Sequence, residues 1–439
     1  MLFLFLILIA FLSLLPNLGA YPFKNEESLR VAVAFEMWHS KSYTQPTFLG
    51  EPYYNKPPLF NWLIILYSHI FPWGELTGRV VSLTFLLFTS LLVGLFSYRL
   101  FRVVRLSLSS SFIFLTFGNV LFFYGYLAEI DMTFSFFVYL GIFLLYLWWE
   151  KRSLTVAILS GVAFGASALL KGFPAYAFFF LSLLALSLYY RSLSLLWSRE
   201  AFISYAISLL LPLLWLSQVP DPFAYLHNLF RESFGRVEGD FSRFIHMLLY
   251  PLVNFKDLLP WSLVFFFSLY FTRLSLPPQL RPLLLMFFLN YTPYWISNSA
   301  GRYIMPLYPL LAIIFSFYIN QALQDKTFKR VFLSVALSTV FLRILYGFAF
   351  FPYEESRENS RKRIALDMAK YLKIEDTIAC ECPEEKSVCL YVGLWKGEPL
   401  KKLNLTQGAK YAIVCGKRLG EPIKQYRIKH KLVNLEKLN

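Results

Sequence analysis

Apolar stretches close to twenty residues long recur along this chain, separated by short clusters of Arg and Lys, and no other feature constrains its fold so tightly. A helix needs about 20 apolar residues to cross the hydrocarbon core of a bilayer. Such stretches lie at Thr77 to Leu100, Ser110 to Tyr126, Met132 to Trp149, Leu154 to Leu170, Ala175 to Tyr190, Ala201 to Leu216, Trp261 to Phe271, Leu283 to Ile296, Tyr303 to Ala322 and Val331 to Phe351. The opening MLFLFLILIAFLSLLPNLGA has no basic n-region and no A-x-A-like cleavage site, so it reads as a retained first helix. Together these predict a polytopic α-helical membrane protein with about eleven transmembrane helices. The 57% hydrophobic and 19% aromatic content of the 439 residues fits a chain whose solvent is largely lipid.

The formal net charge of +15 is distributed as topology signals. If every stretch spans, Arg99, Arg102 and Arg105, then Lys151 and Arg152, Arg191 and Arg199, Arg273 and Arg281, and Lys326, Lys329 and Arg330 all fall on one side, which the positive-inside rule makes the cytoplasm. Loops 21–75 and 218–260, the segments AEIDM, KGFP and SNSAGR, and the tail then face outward. No zinc-knuckle, RNP-type or helix-turn-helix pattern accompanies the positive charge, so a nucleic-acid partner is excluded. The segment PPLFNWLIILYSHIFP is short and bounded by prolines; it predicts a helix lying in the outer interface with Trp62, Tyr67 and Trp73 near the headgroups.

Residues 1–352 are thus expected to form the membrane domain and 353–439 a small soluble α/β domain on the outer side. In the tail, RKRIALDMAKYLK has the period of an amphipathic helix, and TIAC, SVCLYVGLW and AKYAIVC read as strands. All four cysteines, Cys380, Cys382, Cys389 and Cys415, lie here without a CxxC spacing. Disulfides in an oxidising compartment and buried free thiols both fit.

Acidic residues near the membrane part are few, which gives their positions weight. Glu26 and Glu27 follow the first helix; Glu129 and Asp131 open a later one. Carboxylates reaching one cavity from two loops supply a general base and an orienting partner, although acids at helix starts also act as simple caps. In EPYYNKPPLFNW, Lys56 stands before two prolines that stiffen the following chain, a placement suited to gripping a lipid phosphate or to snorkelling at the interface. Arg79, Lys171 and Arg302 are further cations near predicted outer helix ends. There is no Walker loop, HExxH or GxSxG, and His227 and His246 read as surface residues of the third outer loop.

The order of these features, an acidic pair opening a long first outer loop, KPP before an interfacial helix, a DM acid, a KG turn, LPW and YxxPLYP, resembles the GT-C membrane glycosyltransferases, in particular the group of lipid A aminoarabinose transferases and protein O-mannosyltransferases. The resemblance runs from Tyr21 to about Pro309. It implies Glu26, with Glu27 beside it, and Asp131 as catalytic acids. It implies Lys56, with Lys171 and Arg302, as the grip on the donor phosphate, and Tyr53 and Tyr54 beside the substrate; by position along the chain Arg79 is expected to join the phosphate grip and Glu129 the substrate lining. This chain has glutamate where the group has aspartate, and Asn55 stands where an acidic residue can help hold a metal, so no metal or other cofactor is predicted. The implied reaction is inverting transfer of one sugar, a pentose or hexose, from an undecaprenyl-type polyprenyl phosphate to lipid A or a related envelope glycolipid at the periplasmic face of the inner membrane. A protein acceptor is the alternative within this class. A lipid-linked sugar transporter or flippase is the alternative outside it, and the lack of midplane charges and paired repeats argues against that.

Overall fold

The computed structural model describes residues 1–24, 26–234, 240–272, 275–416 and 418–438; Arg273 lies outside the described residues. The membrane part runs through Leu2–Leu12 (α1), Glu27–Ser40 (α2), Leu59–Ser68 (α3), Glu75–Phe101 (α4), Val104–Leu115 (α5), Ile130–Lys151 (α6), Leu154–Lys171 (α7), Pro174–Tyr189 (α8) and Arg199–Leu216 (α9). It continues through Pro222–Phe234 (α10), Asp240–Asp257 (α11), Trp261–Tyr270 (α12), Arg281–Ile296 (α13), Tyr308–Ala322 (α14) and Lys326–Leu345 (α15).

Six helical segments among the described residues are long and apolar enough to cross a membrane: Glu75–Phe101, Ile130–Lys151, Leu154–Lys171, Arg199–Leu216, Gly301–Ala322 and Lys326–Ser356. A seventh forms if Ser242–Asp257 and Trp261–Tyr270, bent by 92° at the break before Trp261, count as one. About eleven crossings would require shorter apolar helices, such as Leu2–Leu12, Val104–Leu115 and Pro174–Tyr189, to span as well. Each expected stretch does carry a helix, but several are short; the Ser110 to Tyr126 stretch breaks after Leu115 and resumes as a π-turn at Val120–Tyr124. Loops 21–75 and 218–260 also contain helices, α2 and α3 in the first and α10 and α11 in the second.

Helix ends follow the charge pattern. Arg102 after α4 and Arg152 after α6 adopt left-handed conformations, φ 56° and 50°. That costs a side-chain-bearing residue about 1–2 kcal/mol, and a cation beside the unpaired terminal carbonyls offsets part of it. Between helices, small residues bring backbones together, as is usual where lipid supplies no hydrophobic drive for association. Ser110 Oγ sits 3.0 Å from Ser97 Oγ and 2.5 Å from Ser316 Oγ, linking α4, α5 and α14. A Cβ on Gly141 would lie 2.6 Å from the Phe164 ring, which fixes the α6–α7 approach.

The helix of α15 continues through a π-turn at Tyr346–Phe350 into Phe351–Ser356 (α16), so the change in composition at 352/353 falls inside continuous helical structure. Beyond it come Arg361–Ala369 (α17), Lys386–Lys396 (α18) and a four-stranded sheet. With the short hairpin Thr47–Phe48 (β1) and Glu51–Pro52 (β2) counted first, its strands are Ile378–Glu381 (β3), Tyr411–Cys415 (β4), Glu421–Ile428 (β5) and Lys431–Lys437 (β6), in the order β3-β4-β6-β5. Strand β3 runs parallel to β4, and the other pairs are antiparallel. SVCLYVGLW, expected as a strand, is helix α18. Ser387 to Gly393 are all buried in it, and Gly397 at φ 81° ends it. The cysteines form Cys380–Cys389 and Cys382–Cys415 disulfides.

The tail docks on the 21–75 segment. Tyr391 of α18 donates to Glu75 Oε1 at 3.0 Å and accepts from the Phe23 N–H at 2.8 Å. Lys362 reaches Glu75 at 2.9 Å, and Lys402 reaches Glu51 at 2.6 Å.

Candidate active site

The first turn of α6, the end of α7, the KPP turn and the start of the Gly301–Leu307 3-10 segment converge on a cavity of about 410 Å³, within the range of small-ligand sites. Among the described residues its wall carries five cations, Arg30, Lys56, Lys171, Arg243 and Arg302, against three carboxylates, Glu129, Asp131 and Glu232. Phe134, Phe173, Leu229 and Tyr294 supply apolar surface. An excess of cations in a half-apolar recess favours a bound anion.

Asp131 lies in the first turn of α6, where the helix dipole favours a carboxylate. Its Oδ1 is 2.6 Å from Lys171 Nζ and 3.9 Å from Arg302 Nε. Lys171 closes α7, and Gly172 at φ 71° turns the chain immediately so that α8 can start at Pro174; the Lys171 ammonium lies 4.9 Å from the centre of the Phe134 ring. Arg302 Nη1 donates to the Tyr124 hydroxyl at 2.9 Å. Thus Asp131, Lys171 and Arg302, far apart in sequence, form one cluster on the cavity wall.

Lys56 stands across the cavity, where Pro57 and Pro58 set the start of α3, and it is ion-paired with Glu232 of α10. Burial pushes its ammonium below the usual lysine range, Glu232 opposes that, and Arg30 and Lys171 add to it. A phosphate here would relieve three neighbouring cations at once. Tyr53 and Tyr54 do not line the cavity. The Tyr53 hydroxyl accepts from Arg30 Nη1 at 2.8 Å, its carbonyl accepts from the Tyr225 hydroxyl at 2.6 Å, and Tyr54 packs edge-on against the Tyr225 ring. They fasten the KPP turn to α2 and α10.

The acidic pair divides. Glu27 and Arg79 are wholly buried and joined twice, Nε to Oε1 and Nη2 to Oε2, both at 2.8 Å. Arg79 also donates to the carbonyls of Leu18 and Tyr21 at 2.6 Å, while Glu27 accepts from the N–H groups of Ala128 and Lys24 at 2.8 Å. This pair holds the Leu18–Lys24 and Ala128–Glu129 backbones in register behind the cavity, and neither side chain reaches it. Glu26 does not line the cavity either, but it adjoins the wall residue Glu129. Its N–H donates to Glu129 Oε1 at 3.3 Å, and its carboxylate meets Lys386 Nζ at 2.8 Å. Burial would raise the Glu26 carboxyl, but Lys386, then Arg30 and Arg302, hold it below the usual range. Burial, with Asp131 adding and Arg30 opposing, pushes the Glu129 carboxyl upward.

Sequence reasoning missed Arg30, Arg243, Glu232 and Lys386. Arg30 was within reach, since four residues after Glu26 on a helix puts it on the same face. The other three arrive from segments far along the chain. Asn55 precedes Lys56, Asp131 and Glu232 are ion-paired with lysines, and no group of three His, Cys, Asp or Glu converges among the described residues.

No protein-family profile matches the chain. An uncharacterized protein of Aquifex aeolicus is 26% identical over 340 residues, 74% of this chain and 65% of that one. An undecaprenyl phosphate-alpha-4-amino-4-deoxy-L-arabinose arabinosyl transferase of Pseudomonas savastanoi pv. phaseolicola is 28% identical over 221 residues, 49% of this chain and 41% of that one. The chain therefore spans less than two thirds of the length of these relatives. Among solved structures, ArnT from Cupriavidus metallidurans bound to undecaprenyl phosphate matches with a TM-score of 0.73 at 15% identity, covering 99% of this chain and 97% of that one. An Archaeoglobus fulgidus oligosaccharyltransferase complexed with zinc and sulfate matches with a TM-score of 0.54 at 13% identity, covering 94% and 68%. The resemblance to the lipid A aminoarabinose transferase group of GT-C glycosyltransferases holds in both sequence and fold.

Proposed function

We propose that this chain is an inverting glycosyltransferase that moves one sugar from a polyprenyl phosphate donor to lipid A or a related envelope glycolipid. The observation that carries the reading is the convergence of Lys56, Lys171 and Arg302 with Asp131 on one cavity. As the glycosidic bond breaks, negative charge builds on the lipid phosphate, and preplaced cations stabilise it without reorganisation. Lys56 would exchange Glu232 for that phosphate. Glu26 would accept the proton of, or orient, the attacking acceptor oxygen. Asp131, held by Lys171 and Arg302, would fix the opposite side of the donor. The arabinosyl transferase relatives and the undecaprenyl phosphate-bound neighbour, with which the chain shares its fold, support the donor class.

The orientation belongs to the same reading: the cavity, the 21–75 segment and residues 353–439 face the periplasm, and the chain crosses the inner membrane about eleven times. The tail's docking on the 21–75 segment and its two disulfides, which belong to oxidising compartments, support this. So do the short apolar helices at Leu2–Leu12, Val104–Leu115 and Pro174–Tyr189. The test is mass spectrometry of lipid A from cells carrying the wild-type chain, Lys56→Ala or no chain. A sugar-sized increment confined to wild type is expected. Identical lipids in all three would overturn a glycolipid acceptor and direct the search to glycosylated proteins.

A further inference from the structure

Lys386 opens α18, and its ammonium reaches the Glu26 carboxylate from 360 residues away in sequence. Among the described residues, no side chain of the membrane part makes a hydrogen bond to that carboxylate. Helix α18 is fixed from both sides: Cys389, one turn on, is bonded to Cys380 of β3, and Tyr391 holds both the Phe23 N–H and Glu75. The backbone leading into Glu26 is therefore clamped by the same helix that presents Lys386. The other charged or titratable groups facing Glu26 are Arg30 on its own helix, Arg302, Tyr53 and Glu129, whose carboxylate already accepts the Glu26 N–H. Of these, Lys386 alone is hydrogen-bonded to the Glu26 carboxylate among the described residues.

We propose that Lys386 is a positioning residue of the transfer reaction: the tail supplies the counter-charge that orients Glu26, so the site is complete only with the tail docked. The proposal rests on the reading of Glu26 as the catalytic acid. Lys386 also acts with Arg30 and Arg302 against burial to keep the Glu26 carboxyl low. Removing Lys386 leaves burial less opposed, so Glu26 takes up its proton at higher pH and the acid side of the rate profile moves upward.

The test uses isolated membranes, which carry donor and acceptor, from cells expressing the full chain. Sugar transfer is followed from pH 4.5 to 8.5 for wild type, Lys386→Met, Lys386→Arg, Glu26→Gln and Lys402→Met. The last variant cuts a tail contact to Glu51 that is remote from Glu26 in the bond network. The expected result is an acid limb displaced to higher pH in Lys386→Met, with a loss of transfer at pH 5 that is absent at pH 8, recovery in Lys386→Arg and a wild-type profile in Lys402→Met. A wild-type profile in Lys386→Met while Glu26→Gln is inactive overturns the role of Lys386 alone. The same displacement in Lys402→Met reduces Lys386 to general docking and overturns it too. Full activity in Glu26→Gln removes the catalytic reading of Glu26 and the proposal with it.

Discussion

Asp131 at the start of α6 and Lys171 at the end of α7 meet with 2.6 Å between Oδ1 and Nζ, their side chains 5% and 14% exposed. Removing one member of a buried pair strands the other charge, at a cost of about 3–5 kcal/mol. Lys171→Met should fall toward the lower end, because Arg302 also faces Asp131. The double variant Asp131→Asn with Lys171→Met should regain most of the thermal stability in detergent yet remain inactive. Recovery of sugar transfer in the double variant would show the pair to be structural.

Glu27 and Arg79 should behave in the opposite way. Both are fully buried, and their bonds hold two stretches of backbone. Arg79→Met or Glu27→Gln is expected to cost about 3–5 kcal/mol and to show as loss of folded protein on size-exclusion chromatography. A folded, inactive Arg79→Met would place Arg79 in the chemistry instead.

Lys56 lies in a partly exposed ion pair, which is worth about 0–1 kcal/mol. Lys56→Ala should leave the melting temperature nearly unchanged and lower transfer by about 100-fold or more, as loss of one preorganised donor at a developing charge does. Glu232→Gln removes the carboxylate that competes with phosphate and should lower the KM for donor. An unchanged or higher KM would assign Glu232 to substrate binding.

Glu129 gives a pH dependence of stability with a definite sign. Its folded carboxyl holds the proton to higher pH than the unfolded chain does, mainly through burial. Above the ordinary glutamate range, near 4.3, the unfolded state binds fewer protons, so stability falls as pH rises until the folded group has ionised as well. Glu129→Gln should flatten that decline and raise the melting temperature at pH 8 relative to wild type. An unchanged slope between pH 4.5 and 8 would show that Glu129 does not titrate in this range.

Most of the helical architecture was legible along the chain, because crossing a bilayer demands long apolar segments and charge at their ends, and both are local properties. The strand expectation for SVCLYVGLW failed for a local reason of its own. A short apolar run has no polar residues to mark its period, and here Ser387 to Gly393 are all buried, so helix and buried strand read alike along the chain.

The site was legible in part. Lys56, Asp131, Lys171 and Arg302 stood out because charge beside a membrane is costly and therefore sparse, and the structure brings all four to one cavity. By itself the sequence determined the kind of solvent the chain needs and the small set of charged residues available for chemistry. Tertiary structure separated two adjacent acids at the start of α2: Glu27 goes to Arg79, and Glu26 goes toward Glu129 and Lys386. It also decided the cysteine pairing. Both depend on contacts between different elements, from 9 residues apart for Cys380–Cys389 to 360 for Glu26–Lys386, and spacing along the chain carries no record of them.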